Sequence, residues 1–243
     1  MKKTLAFILC LLTIIGFTTG CGNNTTKDEA ESTAESTAEL TAADIEVGGY
    51  IKFGSYEQDN NTSNGKETIE WLVLEKKDGK ALVISKYALD FQPYHTSDAD
   101  VTWETCSLRK WLNDDFLNVA FSNEEQARIP TVTVSADKHP SYDTDPGNKT
   151  QDKVFLLGYN EAKKYFDSDE ARLCVPTDYV VAQGAFTYES FKVNGKATCN
   201  WSLRSPGSVQ HTAIFVQQGF LFGQLVVSSS HVVRPALWID LNA

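Results

Sequence analysis

The chain has 243 residues, of which 22 are Lys or Arg and 32 are Asp or Glu, so its formal net charge is −10. This acidic balance argues against nucleic acid as a partner, because proteins bind nucleic acid through Lys and Arg side chains that neutralise phosphates. The 200 residues from Asp44 onward are enough for one domain with a substantial core, and the acidic residues are spread along it, as on a solvated surface.

The first 21 residues have the layout of a bacterial lipoprotein signal peptide. Lys2 and Lys3 precede an apolar run that is too short to cross a membrane as a helix, and small residues then lead to Cys21. Cys21 resembles the lipobox cysteine that becomes the acylated first residue of a mature lipoprotein. We therefore expect residues 1–21 to be a signal peptide and Cys21 to carry the lipid. Thr18 stands where lipoboxes favour leucine, and the alternative is an ordinary signal peptide that ends near a cysteine.

A polar segment follows at residues 22–45, with a repeat of Ala-Glu-Ser-Thr and no aromatic residue. It cannot bury enough apolar surface to offset the entropy of ordering, so it is predicted to be a disordered tether. Residues 46–243 then form a single globular domain, held outside the cytoplasm at the cell membrane by the lipid on Cys21. Removal of Lys2 and Lys3 leaves 20 basic and 32 acidic residues, so the mature protein carries a charge of −12.

The first part of the domain is predicted to contain antiparallel strands and then helices. Residues 48–56 alternate like a strand, and residues 69–89 contain two strand-like runs joined by a Lys-Asp-Gly turn, which is a strong hairpin signal. A helix is predicted over residues 105–121, where Leu108, Leu112 and Phe116 recur at intervals of four. Ser122 and Glu125 have the spacing of a capping box that begins a second, short helix.

A long polar loop at residues 137–153 separates strand-like runs at 131–134 and 154–158, and loops of this length are often functional. Asn160 is predicted to cap the next helix, and Asp178 to begin another. The last part of the chain has four apolar or alternating runs separated by Gly, Ser and Gln, which indicate an antiparallel meander. Antiparallel strands at both ends and two to four short helices in the middle predict an α+β fold.

Five segments, in order, closely resemble a bacterial family, the domain of unknown function 6273. They are 51-IKFGSYEQDN-60, 70-EWLVLEKKDGKALVISKYALD-90, 103-WETCSLRKWLNDDFL-117, 203-LRSPG-207 and 234-RPALWI-239. That family is in turn distantly similar to the C-type lectin-like fold of lectins and formylglycine-generating enzymes, and the resemblance implies this fold. In those relatives a Trp-containing strand and a late Val-Arg pair form the structural centre, which here corresponds to Trp201 and Val233-Arg234.

Three cysteines remain in the predicted mature domain: Cys106, Cys174 and Cys199. An odd number cannot all pair, so the sequence allows either one disulfide with a free thiol or three reduced thiols. The resemblance to formylglycine-generating enzymes implies a cysteine pair late in the domain. Only Cys199 lies in that region, and no partner is near it in the sequence, so the resemblance does not carry that activity over.

Aromatic and polar side chains outside the apolar strands are the best candidates for ligand binding, because sugar recognition combines aromatic platforms with amides and carboxylates. The candidate set is Trp103, Tyr142, Asp143, Asp145, Asn200, Trp201 and Arg204. Arg204 has the donors to bind an anion, although a structural role for its five N–H groups is the stronger interpretation.

No cofactor is expected. Calcium has weak support, because Asp143, Asp145 and Asn148 supply hard oxygen ligands on the long loop, but the EF-hand spacing fails at Gly147. No catalytic residue and no metal motif is predicted.

The predicted function is a lipid-anchored binding module at the cell surface that recognises glycan or cell-wall material. Two alternatives stay open. One is an enzyme of the formylglycine-generating fold group with an unrecognised site. The other is a structural or protein-interaction lipoprotein, which an exposed apolar patch would favour.

Overall fold

The computed structural model describes residues 45–227 and 232–243. The predicted signal peptide, Cys21 and residues 22–44 of the predicted linker lie outside these residues. Ile45, at the end of the predicted linker, has a side chain only 1% exposed and belongs to the core. Within the described residues, no helix combines the length and apolar character needed to cross a membrane.

The central element is a five-stranded antiparallel sheet with strands from both ends of the domain. Its order is β1 (Tyr50–Tyr56), β2 (Glu67–Lys77), β3 (Lys80–Ser85), β12 (Ala236–Asp240) and β6 (Val154–Phe155). Asp78 and Gly79 connect β2 to β3 with φ angles of 50° and 71°, as a two-residue hairpin turn requires. The predicted hairpin is therefore confirmed.

The predicted helix over residues 105–121 is observed as one helical stretch with a wide turn in its middle. It consists of α1 (Ser107–Trp111), a π-helical turn (Leu112–Phe116) and α2 (Leu117–Ala120). Leu108, Leu112 and Phe116 are all buried, which confirms the apolar face that the spacing of four predicted.

A short helix, α3 (Asn123–Ala127), begins at the predicted capping box. Oγ of Ser122 accepts the backbone N–H of Glu125 at 3.2 Å, and Oε2 of Glu125 accepts the N–H of Ser122 at 2.8 Å. The carboxylate of Glu125 also accepts the N–H of Gly54 at 2.9 Å, so the start of α3 is tied to β1.

Asn113, in the π-helical turn, takes the place of a neighbouring strand beside β6. Its Oδ1 accepts the backbone N–H groups of Lys153 and Val154 at 2.8 and 3.2 Å, and its Nδ2 donates to the carbonyl of Val154 at 2.8 Å. Since β6 is at the edge of the sheet, the amide covers backbone groups that would otherwise lack a partner.

Three small antiparallel sheets and further short helices complete the described part of the domain. The sheets pair β4 (Val132–Val134) with β5 (Thr150–Asp152), β7 (Thr187–Val193) with β8 (Lys196–Cys199), and β9 (Trp201–Pro206) with β10 (Thr212–Gln217) and β11 (Phe220–Leu225). The helices are α4 (Tyr159–Tyr165), a 3-10 turn (Glu170–Arg172) and α5 (Asp178–Ala182). This strand-rich arrangement with few short helices confirms the α+β class.

Two expectations about local structure are wrong, and one hairpin was not predicted. The C-terminal runs do not form one meander, because β12 leaves β9–β11 and inserts between β3 and β6, where Leu237 and Ile239 are fully buried. Asn160 does not cap α4. The cap is Gly158, and Asn160 lies inside the helix, where its Nδ2 donates to Asp137 at 2.7 Å. The β7–β8 hairpin was not predicted, although its Asn194-Gly195 turn is a hairpin signal.

Candidate functional site

A polar groove of about 390 Å³ lies where three loop segments meet. The segments are residues 100–105, which precede α1, residues 145–148 of the long loop, and Gln210 in the connection from β9 to β10. The groove is lined by Asp100, Val101, Thr102, Glu104, Thr105, Asp145, Gly147, Asn148 and Gln210. Carboxylates, amides and hydroxyls therefore dominate its wall.

Side-chain amides hold the three segments together. Nε2 of Gln210 donates to the carbonyls of Val101 at 3.2 Å and Asp145 at 2.9 Å, so it bridges the other two segments. Nδ2 of Asn148 donates to Oε2 of Glu104 at 2.9 Å. These bonds join the backbone and side chains of different loops, and the bond from Asn148 holds the carboxylate of Glu104 in place.

Gly147 allows the long loop to approach the opposite wall of the groove. Its φ angle is +78°, and a Cβ atom at this position would lie 2.6 Å from Oγ1 and 2.7 Å from Cβ of Thr102. The backbone N–H of Gly147 donates to Oδ1 of Asp145 at 2.9 Å, which stabilises the turn. A residue with a side chain would both strain the turn and push the two walls apart.

Trp103 supports the groove from inside the protein. It lies between the lining residues Thr102 and Glu104, but its side chain is only 3% exposed. Its indole N–H donates to Oδ2 of Asp152 at 2.9 Å, and Nε of Arg109 donates to the other carboxylate oxygen at 2.6 Å. The ring is therefore buried and does not offer a face to a surface ligand.

The other predicted ligand-binding residues around β9 lie in the core, away from the groove lining. Trp201, Arg204 and Asn200 are 0%, 1% and 3% exposed. The indole N–H of Trp201 donates to the carbonyl of Arg172 at 2.9 Å, and Nδ2 of Asn200 donates to the hydroxyl of Tyr188 at 3.2 Å. Their contacts are those of a scaffold.

Arg204 uses its donors within the protein. Nε donates to the carbonyl of Ser135 at 3.2 Å, and Nη1 to the carbonyl of Leu156 at 2.8 Å. Nη1 and Nη2 also form a bidentate pair with the carboxylate of Glu161, and Nη2 reaches Oγ of Ser135 at 3.3 Å. These five contacts match the five N–H groups of a guanidinium, so none is left for a ligand.

The two aspartates of the long loop, Asp143 and Asp145, have different surroundings. Asp145 lines the groove, whereas Oδ1 of Asp143 accepts from Nζ of Lys138 at 2.6 Å, a bond that lowers the pKa of the Asp143 carboxyl. Tyr142 is 36% exposed and stacks on the ring of His139 with centroids 4.1 Å apart. Of the predicted site residues, Asp145 alone lines this groove.

A separate acidic group lies in the loop between β1 and β2. Ligand atoms of Glu57, Asp59 and Glu67 lie within 4.8 Å of one another. Oε2 of Glu67 already accepts the backbone N–H groups of Gln58 and Asp59 at 2.6 and 3.2 Å. The carboxylate therefore has a structural role in closing this loop.

Sequence reasoning missed most of the groove residues. Asp100, Glu104 and Gln210 were not predicted, although Glu104 flanks Trp103, whereas Asn148 was named only as a possible calcium ligand. The length of the loop was the available signal. The residues that face the long loop across the groove are brought there by contacts between distant segments of the chain.

Asp90 is a buried carboxylic acid that sequence reasoning also missed. It accepts hydrogen bonds from the hydroxyl of Tyr56, the N–H of Phe91 at 2.6 Å and Nε2 of Gln92 at 3.1 Å. Burial raises the pKa of the Asp90 carboxyl, and burial together with the neighbouring Asp90 raises the pKa of Tyr56.

A second, smaller cavity of about 140 Å³ is lined by Gln58, Asp59, Tyr87, Pro176, Thr177, Asp178 and Lys196.

The protein is thus a strand-rich α+β domain built from small antiparallel sheets, with a polar groove between its loops. Residues 78–241 match the family model described as "Domain of unknown function (DUF6273)", and the chain belongs to this family. This confirms the resemblance that the five sequence segments indicated. No curated protein and no solved structure matches the chain.

Proposed function

We propose that the protein is a lipid-anchored, extracytoplasmic binding module that takes a hydroxyl-rich ligand, a glycan or cell-wall saccharide, in the groove. The observation that carries this proposal is the convergence of Asp100, Glu104 and Asp145 with the amides of Asn148 and Gln210 around one open groove. Carboxylates accept hydrogen bonds from sugar hydroxyls, and side-chain amides both donate and accept them.

The charge of the groove restricts the ligand further. Three carboxylates line it, and neither lysine nor arginine does, so an anionic ligand would be repelled. The acidic balance of the whole chain acts in the same direction and disfavours nucleic acid. A neutral or cationic ligand, such as a saccharide without acidic groups, is therefore favoured.

The C-type lectin-like fold is part of the proposal, and contacts around Trp201 support it. Trp201 forms a parallel bridge with Val232, and the guanidinium of Arg234 lies 5.0 Å from the centroid of its ring. These contacts join the Trp-containing strand to the late Val-Arg pair, as the resemblance implies for the centre of that fold. The signal layout ending at Cys21 and the polar segment at residues 22–45 support the anchor and the tether.

Binding of the purified chain to an array of bacterial, host and dietary glycans, with and without calcium, tests the proposal. Glu104→Gln and Asp145→Asn should abolish saturable binding, because each removes a groove carboxylate while keeping its shape. Asp143→Asn is the matched control, since Asp143 is on the same loop outside the groove lining. A change in affinity on adding calcium would assign the ion a role in the groove.

Two results would contradict the proposal. Equal binding by all three variants would exclude the groove as the site. Silence across the array, with and without calcium, would exclude a glycan ligand and favour a protein partner.

A second candidate function, protein interaction, is favoured by the apolar edge strand β11. Phe220, Phe222 and Leu225 are 47%, 49% and 45% exposed on this edge of the β9–β11 sheet. Exposed apolar side chains on an edge strand are typical of surfaces that pair with another chain. Loss of ligand binding in Phe220→Ser and Phe222→Ser, but not in the groove variants, would move the site to β11. The formylglycine-generating enzyme alternative has less support, because no cysteine lines either of the two cavities described above.

A further inference from the structure

Cys174 and Cys199 face each other across an antiparallel bridge. The backbone N–H of Cys199 donates to the carbonyl of Cys174 at 2.8 Å, and Sγ of Cys199 lies 3.5 Å from the same oxygen. The fold therefore gives Cys199 a close partner that is distant from it in the sequence.

This geometry suits a disulfide. Residues opposite each other in antiparallel strands have Cα atoms about 4.5–5.5 Å apart. Disulfides need a Cα separation of about 4.4–6.8 Å, and the separation typical of such opposite residues lies within this range. Cys106, the remaining cysteine of the described residues, is instead the N-cap of α1, where its sulfur accepts the N–H of Arg109 at 3.4 Å.

A buried positive charge, that of Arg234, contacts Trp201, which follows Cys199 by two residues. Arg234 is only 4% exposed, and its guanidinium lies between the rings of Trp201 and Phe166, at 5.0 and 5.3 Å from their centroids. Nε donates to the carbonyl of Ser85 at 2.9 Å, but Nη1 is buried without a hydrogen-bond partner. None of the ion pairs among the described residues includes Arg234.

An uncompensated buried cation is costly, so a negative charge next to Arg234 would be stabilised. Burial raises the pKa of the Cys174 thiol, but the interaction with the Cys199 thiol, the charge of Arg234 and the backbone N–H of Ala88 lower it to about 7. Burial and the interaction with Cys174 raise the pKa of Cys199. Cys174 is therefore the more acidic of the two thiols.

We propose that Cys174 and Cys199 form a reversible disulfide, and that the guanidinium of Arg234 stabilises the reduced pair. The oxidant is a low-molecular-weight disulfide. The Cys174 thiolate attacks one of its sulfurs, a mixed disulfide forms, and the first reagent thiolate leaves. The Cys199 thiol gives its proton to that thiolate, and its sulfur then attacks Cys174 and releases the second reagent thiolate. Two protein thiols are oxidised to one disulfide, and one reagent disulfide is reduced.

Because both sulfurs are buried, this exchange occurs while the chain folds or when the segment around Cys174 opens. A thiolate that is stabilised in the reduced state makes a disulfide easier to reduce. The Cys174–Cys199 bond is therefore expected to respond to the redox state of the surroundings rather than to be permanent.

Equilibration of the full chain with mixtures of reduced and oxidised glutathione tests the proposal. Free thiols are blocked after acid quenching, and peptide mapping by mass spectrometry under non-reducing conditions reports the linkage. We expect one peptide pair that joins Cys174 to Cys199, with Cys106 blocked as a free thiol. Cys106→Ser is the matched control and should keep the linkage, whereas Cys199→Ser should lose it.

The role of Arg234 is tested in the same equilibrium. Arg234→Gln should form the disulfide at a ratio of oxidised to reduced glutathione about tenfold lower, because the thiolate loses its cation. Arg234→Lys keeps the charge and should equilibrate like the parent chain, which covers the case in which Arg234→Gln does not fold. A chain whose Cys174 and Cys199 stay reduced throughout would overturn the disulfide. Equal equilibria for the parent and Arg234→Gln, or a shift in Arg234→Lys as large as that expected for Gln, would overturn the role of the charge.

Discussion

Arg204 on β9 and Glu161 on α4 form a bidentate ion pair in which Nη2 of the guanidinium lies 2.9 Å from Oε1 of the carboxylate. The pair joins a helix to a strand from a different part of the chain, and the arginine side chain is almost completely buried. Removing the carboxylate charge leaves the guanidinium without its counter-ion in the core. This relationship explains why the Leu-Arg-Ser-Pro-Gly segment is part of the scaffold.

Glu161→Gln should therefore lower the free energy of unfolding by about 2–3 kcal/mol, because a buried charge is left without its ionic partner. Urea unfolding measures the change. Asp114→Asn is the control, because its ion pair with Lys110 is solvent-exposed and should contribute little to stability. Similar losses in the two variants would contradict the structural role of the Arg204 pair.

Gly147→Ala should destabilise the protein and weaken ligand binding at the groove. The variant carries both the strain of a positive φ angle and a contact of the new Cβ with Thr102. Gly65→Ala is the control, since Gly65 also has a positive φ angle, +92°, but nothing lies within 4 Å of the new Cβ. We expect Gly147→Ala to cost at least about 1 kcal/mol more than Gly65→Ala. Equal losses of stability in the two variants would mean that the long loop moves and relieves the contact with Thr102.

His139 should make stability depend on pH. Burial lowers the pKa of His139 below its ordinary value of 6.5, with Asp137 opposing this shift and Lys163 adding to it. The unfolded chain then binds the proton more tightly than the folded chain, so stability is full above pH 6.5 and is lost as the pH falls through the window below it.

Urea unfolding of the parent chain and His139→Gln between about pH 5 and 8 measures this contribution. The substitution also removes the stacking on Tyr142, but that loss is the same at every pH. The difference in stability between the two chains should therefore shrink or reverse as the pH is lowered. A stability difference that is constant across this pH range would show that the pKa of His139 is the same in the folded and unfolded states.

Asn113→Ala should cost about 2–3 kcal/mol, because backbone groups of Lys153 and Val154 lose their partners at the sheet edge. Asn118→Ala is the control, since both hydrogen bonds of Asn118 are exposed: its Nδ2 donates to the carbonyl of Asp114, and its Oδ1 accepts from Nε2 of Gln126. Urea unfolding gives the free energies, and light scattering reports any aggregation. Equal stability of the two variants would contradict the role of Asn113 at β6.

Sequence reasoning succeeded where the determinants were local. The Asp78-Gly79 turn and the Ser122 capping box are each decided by residues within a few positions of one another, and both were confirmed. Trp103 and Trp201 were predicted to bind a ligand at the surface, and this prediction failed. Their neighbours in the sequence are polar, yet both rings are buried, because distant segments supply Asp152 and the carbonyl of Arg172 as partners for their indole N–H groups.

The groove and the thiol pair could not be predicted for the same reason. The contacts of Gln210 with Asp145 and of Cys174 with Cys199 form only when separate loops and strands have packed. Residue type and local spacing carry no information about such long-range contacts. The alternating apolar pattern of β12 likewise fits any open sheet edge, and the actual choice between β9–β11 and β3 is made by the tertiary fold.

The position of β12 has a consequence for the order of folding. This strand consists of Ala236–Asp240, close to the end of the chain, yet it is inserted between β3 and β6 and fills the middle of the main core. A chain that emerges N-terminus first, from a ribosome or through a translocation channel, cannot complete that sheet until β12 has emerged. A chain that ends before Ala236 would lack the strand that joins β3 to β6.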